Sequence, residues 1–303
     1  MSVPAAYLGV ILIWSTTPLA IQWSAQESSF SFAVMARMLI GLALCVLLLF
    51  ATRTAFPFSP AARRLYAISG LTLGVSMLLT SWGALHIPSG LISVIFGLSP
   101  LLTGVFAALW LSERTLTPLR IAGLALALAG LWLIFGQPWP GDGHATLGTA
   151  AVVIGMTTQA LGLVWIKRLN VRISSLAITT GSLGVATPLL IVAWVVADAA
   201  QLPSDITLRA AVSIVYLGVL GSLVGFTLYY YVIKRLDAGR VALIMLVTPV
   251  AALLLGKTLN QEYIPALGWA GIALIGAGLL LYEWQALRGL RSAPGMADNN
   301  PSP

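Results

Sequence analysis

Of 303 residues, 59% are hydrophobic and only 8% charged, with a mean hydropathy of +0.96, which excludes a water-soluble domain. The net charge of +7 is spread over short loops without aromatic interleaving, so it points to membrane orientation and away from a nucleic-acid partner. The one cysteine, Cys45, lies inside an apolar run; it excludes an intrachain disulfide and a thiolate metal site and reads as a small buried hydrophobe.

A hydrocarbon core about 30 Å thick takes roughly 20 helical residues to cross. Ten apolar runs of that order fall at residues 4–23, 31–51, 65–84, 89–111, 118–136, 145–166, 174–197, 210–233, 240–258 and 264–284. They are Leu/Ala-rich and continuous, which predicts helices rather than the weak alternating segments of a barrel. The first run has no Lys or Arg before it and no small-residue cleavage pattern after it, so it is expected to be a retained span. The connections are short and leave no room for a soluble catalytic domain.

Basic residues are retained on the cytoplasmic side of a membrane, so they should alternate between loops if the span count holds. With the loop after the second span inside, that face collects 13 of the 16 Lys and Arg, among them Arg53, Arg114, Arg172, Arg235 and Arg288. The inner face then sums to +9, the outer face to −3, and Arg37 within the membrane adds +1, recovering the net +7. Both termini are therefore expected in the cytoplasm. The tail, residues 287–303, is short, polar and Pro-containing, and is expected to be disordered.

Candidate site residues follow in chain order. Span 1 carries Trp14 and Thr17 on one face. Span 2 holds Arg37, the one ionisable residue well inside a span and therefore a functional candidate. It lies about six residues, or roughly 9 Å, from the outer side, so it either binds a substrate carboxylate or pairs with backbone carbonyls or an outer-loop acid such as Glu27. Span 3 bears a polar stripe at Ser69, Thr72, Ser76 and Thr80. Span 4 brings Phe96, facing the same way as Pro100, and the pair Ser99-Pro100. Span 6 brings Thr157, and span 9 brings Thr248-Pro249. Span 8 answers the polar stripe with Gly218, Gly221 and Gly225, small residues read as close helix packing, and with Tyr229, which joins Ser76 and Thr80 as a candidate for the cavity. Pro100 and Pro249 each fall near mid-span, where the ring removes a backbone hydrogen bond and frees a carbonyl. Ser99 and Thr248 either line a cavity or re-satisfy the backbone locally.

Other polar and aromatic groups are given no site role. Trp23, Trp82, Trp139, Trp165, Tyr282 and Trp284 map near span ends, where amphipathic rings belong. All nine acids lie in loops, at span ends or in the tail, and His86 and His144 map to outer loops. A path without a titratable carboxylate or imidazole favours facilitated diffusion or exchange over proton coupling.

The chain also repeats itself. Ser89-Gly90, Ser99-Pro100 and Glu113 recur as Ala238-Gly239, Thr248-Pro249 and Glu262 at an offset of 149, and Ala122-Gly123 and Ala129-Gly130 recur as Ala270-Gly271 and Ala277-Gly278 at an offset of 148. Five spans per copy is an odd number, so the two copies should enter the membrane in opposite senses. The expected organisation is a first five-helix repeat over residues 1–140, a second over 141–286, and the tail. The expected fold class is an all-α integral membrane protein with ten transmembrane helices in two inverted repeats around a central cavity.

The segment SPLLTGVFAALWLSERTLTPLRIAGLALALAGLWLIF, echoed by TPVAALLLGKTLNQEYIPALGWAGIALIGAGLLLY, resembles the EamA-type domain of the drug/metabolite transporter superfamily. The resemblance spans about residues 4–285 and implies a ten-helix transporter. In such a protein, helices 1 to 4 and 6 to 9 surround the cavity and helices 5 and 10 buttress it. It also implies export of amino acids or related small metabolites from a bacterial cell, across the inner membrane. The second copy departs from the first before its glutamate, with Gly256-Lys257 and Asn260-Gln261 where the first has Trp110-Leu111-Ser112.

An intramembrane enzyme lacks its parts: there are no paired intramembrane aspartates, no HExxH helix and no serine with a membrane-embedded histidine. Export of drugs or other lipophilic compounds stays open, as does a non-transporting scaffold, although midplane prolines and polar stripes serve no purpose in a passive bundle. The expected partners are a small-molecule substrate and the lipid bilayer, with the protein a monomer or homodimer and no cofactor or metal required.

Overall fold

The computed structural model describes residues 2–111, 117–135, 144–233, 235–236, 238–284 and 287. Glu113, Trp139 and nearly all of the tail lie outside the described residues. The described chain is helical, with no strand. In order come α1 (Val3–Gln26), α2 (Phe30–Ala51), α3 (Pro60–Gly83), α4 (Ser89–Phe96), α5 (Ser99–Leu111) and α6 (Pro118–Phe135). Then follow α7 (Ala145–Leu169), α8 (Ser175–Asp198), α9 (Leu208–Tyr216), a π-helical segment (Leu217–Val224), α10 (Gly225–Ile233), α11 (Ala238–Leu259) and α12 (Ala266–Tyr282). Among the described residues, six stretches, with Ser89–Leu111 taken as one, are long and apolar enough to cross a membrane, and four shorter apolar helices accompany them.

Local chemistry starts and stops these helices where the sequence changes character. Ser59, Ser174 and Thr207 each accept a hydrogen bond from the backbone N–H three residues on, at 3.1–3.2 Å, capping α3, α8 and α9. Proline stands in the first turn of α1 and α3, where its missing N–H has no partner to lose. The C-terminus of α7 is closed by Asn170 in a left-handed conformation (φ 46°), a position that asparagine tolerates better than most residues.

Two predicted spans are not single helices. Span 4 breaks at Gly97-Leu98 into α4 and α5, so Pro100 is the second residue of a new helix rather than a kink inside one. Span 8 is α-helical at both ends but winds as a π-helix through its glycine-rich centre, LGVLGSLV. Pro249, in contrast, sits inside the continuous helix α11.

Packing is set by small residues. α6 lies against α12, where Gly123 faces Gly278 and Gly130 faces Gly271. A methyl group on any of these four glycines would stand 2.5–2.7 Å from a backbone oxygen of its partner, so the two backbones are in direct contact. α3 packs on α7 and α8. Large apolar side chains such as Leu47, Phe50, Trp132 and Val196 are exposed on the outside of the bundle, as a lipid-facing surface requires.

Candidate functional site

The polar groups of the interior divide into those that helices satisfy for themselves and those that reach across. Thr17, Thr80 and Thr157 donate to the carbonyl four residues back in their own helices at 2.7 Å. The span 3 stripe is packed rather than wet. Ser69 shares a 2.5 Å hydrogen bond with Ser182 of α8, while Ser76 and Thr80 are buried against Gly155 of α7. Ser76 Oγ also donates to Gln159 Oε1 at 3.2 Å. Gln159 is an amide in mid-span that the sequence alone could have flagged, because such a group is costly in hydrocarbon.

Arg37 projects from α2 into this interior and is only 3% exposed. Its Nη2 donates to Met77 Sδ of α3 at 3.2 Å, and its Nε has no hydrogen-bond partner. The side chain does not reach to the membrane surface; it is enclosed by protein. Pairing with Glu27 is not realised either: Glu27 forms an ion pair with Arg209 and accepts a 2.5 Å hydrogen bond from Thr207.

The π segment runs beside Arg37 and Gly41 on one flank and beside span 1 on the other. A methyl on Gly218 would stand 3.1 Å from the Arg37 carbonyl oxygen, and one on Gly225 would stand 3.4 Å from Trp14 Nε1. Thr17 Oγ1 lies 4.0 Å from the same position on Gly221. Trp14, Thr17 and Arg37 thus converge on one segment. Nothing is described of the Tyr229 side chain.

A cavity of about 400 Å³ lies between α2, α8 and the span formed by the π segment and α10. Cys45, Leu48, Thr52, Ser175, Leu176, Thr179, Ser222, Leu223, Thr227, Tyr231 and Arg235 line it. It extends from mid-span at Cys45 and Ser222 to the helix ends at Thr52, Ser175 and Arg235, the end that carries the basic loops. Arg235 stands over the Tyr231 ring at 3.9 Å from its centroid. None of the expected site residues is among the described lining. Sequence reasoning missed the lining hydroxyls because Ser, Thr and Cys on a helix show no preferred neighbour until packing is known.

The proline pair forms a second locus. The methyl position of Gly97, at the break between α4 and α5, lies 3.4 Å from Pro249 Cγ. Thr248 is buried, and Phe96 packs on the apolar core around Leu91 and Ile95. Ser99 and Pro100 open α5. The cavity does not reach these residues.

The end of the bundle opposite the basic loops is tied together. Glu262 accepts the Ser89 N–H at 3.0 Å and the Gly90 N–H at 3.4 Å, which places a carboxylate on the N-terminus of α4. Asn260 donates to Glu262 at 3.1 Å and to Gln22 at 2.9 Å, and accepts from Trp23 at 2.9 Å. Gln22 in turn donates to the Ile87 carbonyl at 3.1 Å. Ser29 and Ser31 both donate to Asp198, joining α2 to α8. The second copy's polar departure, Asn260-Gln261 before Glu262, is thereby partly accounted for: Asn260 is the hub of this closure.

The model of the EamA-like transporter family matches residues 3–136 and again residues 146–284. A protein of Streptantibioticus cattleyicolor named "Probable terminal-alkyne amino-acid exporter" is 28% identical over 241 residues, covering 77% of this chain and 78% of that protein. A protein of known crystal structure is 20% identical, with a TM-score of 0.64, over 94% of this chain and 99% of that one, and shares the fold. A family match over most of the chain, on a bundle of apolar helices whose largely apolar interior holds buried polar groups, identifies a transporter and not an enzyme: the chain belongs to the EamA-like transporter family and is a multi-pass membrane transporter.

Proposed function

We propose that this protein exports a small amino acid or a related metabolite across the bacterial inner membrane by alternating access, with both termini in the cytoplasm. The observation that carries the proposal is the one-sided cavity. Its lining reaches the helix ends that bear the basic loops, while a hydrogen-bonded cluster around Asn260 and Glu262 ties α1 and α4 to the segment after α11 at the opposite end of the bundle. In an alternating-access carrier, a cavity that reaches one side only corresponds to the state facing that side. The amino-acid class is supported by the name of the 28%-identical relative and by a cavity of mixed hydroxyl and apolar lining.

Two inverted five-helix halves, residues 1–140 and 141–286, complete the proposal. It is supported by the double family match and by the fixed-offset motifs. The reciprocal contacts of Gly123 with Gly278 and Gly130 with Gly271 are what a two-fold relation between such halves produces. Trp14, Thr17, Ser76, Thr80, Phe96, Ser99, Pro100, Thr157, Tyr229, Thr248 and Pro249 are proposed as walls of the path in the states that follow. No acid lies within the spans, which supports exchange or facilitated diffusion.

Counterflow tests the proposal. Proteoliposomes preloaded with unlabelled amino acids should accumulate labelled amino acid transiently. Folded protein that accumulates none of the amino acids in a broad panel would leave only the drug-export or scaffold alternatives.

A further inference from the structure

Arg37, Gly41, Cys45, Leu48 and Thr52 follow one another at steps of three and four residues and so share one face of α2. The last three line the cavity, and Arg37 stands two turns beyond Cys45, about 12 Å along the helix. Between them is a single seam. A methyl on Gly41 would touch Ser222 Cβ at 3.5 Å and Leu183 Cδ1 at 3.6 Å. Ser222 belongs to both: it lines the cavity below and packs at the seam.

The guanidinium beyond that seam has no counter-ion among the described residues. Among the described residues no carboxylate pairs with Arg37, its described acceptor is a thioether sulfur, and its Nε is unsatisfied. Burying an unpaired cation is costly, so a site that keeps one gains free energy when an anion arrives. No acidic side chain is among the described lining of the neighbouring cavity, and a second arginine, Arg235, stands at its mouth. We propose that Arg37 is the anion-binding residue of the transport site and that it takes the carboxylate of the cargo. The assignment rests on the transport reading above.

The chemistry narrows the cargo. One guanidinium neutralises one negative charge, so the fitting ligand carries a monoanionic carboxylate, which the guanidinium fork can grip with two parallel hydrogen bonds. With no carboxylate among the cavity's described lining to hold a cation, an amine alone has no counterpart there. An amino acid is recognised by its acid end, and its ammonium is left to neutral oxygens. The Gly41–Ser222 seam must part for the cargo to pass, and the π segment that carries Ser222 is the element placed to move.

Full-length protein in proteoliposomes tests the assignment by counterflow of labelled L-leucine, L-phenylalanine and propargylglycine. Each is competed by its unlabelled acid, its methyl ester and its decarboxylated amine: isoamylamine, phenethylamine and but-3-ynylamine. The acids should compete and the amines and esters should not. Arg37→Gln should lower exchange roughly ten- to hundredfold, the scale of a lost charge-assisted hydrogen bond, with Arg37→Lys between the two. Amines competing as well as acids in the wild type would overturn the assignment even if Arg37→Gln failed to fold, and so would wild-type exchange by folded Arg37→Gln. Folded wild type that exchanges none of the three acids would overturn the transport reading and the assignment together; exchange without acid selectivity overturns the assignment alone.

Discussion

Glu262 and Ser89 are 173 residues apart in sequence, yet the Glu262 carboxylate closes the first turn of the helix that Ser89 begins. The contact spans the two matched regions of the family model and fastens the loop between α11 and α12 to α4. An anion at a helix N-terminus contributes on the order of 0.3–1 kcal/mol, more where it is partly buried. Glu262→Gln keeps the shape but loses the charge. Thermal unfolding in detergent should fall by a few degrees, and a cysteine placed at Ser89 in a Cys45→Ala background should react faster with a membrane-impermeant maleimide. Unchanged labelling would mean that Glu262 does not hold this end shut.

The α6–α12 seam leaves no room for a side chain. Gly123→Ala or Gly130→Ala puts a methyl within 2.5–2.6 Å of the carbonyl oxygens of Gly278 and Gly271, so the helices must separate. Overpacking of this kind costs about 1–3 kcal/mol, and the double variant should approach the sum because the sites lie two turns apart. Differential scanning fluorimetry of the purified variants measures it.

Gly218 and Gly221 are three residues apart in the π segment, yet they should respond differently to the same change. A methyl on Gly218 would meet Ile40 Cγ2 at 2.8 Å, whereas on Gly221 nothing comes closer than 3.6 Å. Gly218→Ala should therefore slow counterflow several-fold or lower stability by about 1–3 kcal/mol, while Gly221→Ala stays near wild type in both. Equal effects would show that the contact with α2 is not what demands glycine at 218.

Because Cys45 is the only native cysteine, accessibility can be mapped cleanly. In a Cys45→Ala background, Ser222→Cys should be labelled by an impermeant maleimide from the side of the basic loops. Substrate should protect it. Thr16→Cys, whose hydroxyl bonds to Tyr216 at 2.5 Å outside the described cavity lining, should not gain that protection.

The ten apolar helical stretches, six of them long enough to cross a membrane, were legible because hydrocarbon thickness writes itself into run length: predicted 31–51 became Phe30–Ala51, and 145–166 became Ala145–Leu169. The break at Gly97-Leu98 was not legible. It is held by Leu279 and Pro249, which reach it only after folding. Nor was the π segment, since GVLGSLVG is equally acceptable as an α-helix until α2 is laid against it. In the interior, Arg37 stood out from charge alone. Thr80 and Thr157 did not declare themselves, because a threonine that bonds its own helix and one that faces a ligand have the same spelling.

A stretch wound five residues to the hydrogen bond holds slack that a regular coil does not. Tightening Leu217–Val224 to the ordinary pitch would draw that slack out as rotation and added length, turning Thr227, Tyr231 and Arg235 together about the axis of their helix. The mouth of the cavity and its inner wall are thus geared to one loosely wound spring, and a movement at either must be felt at the other.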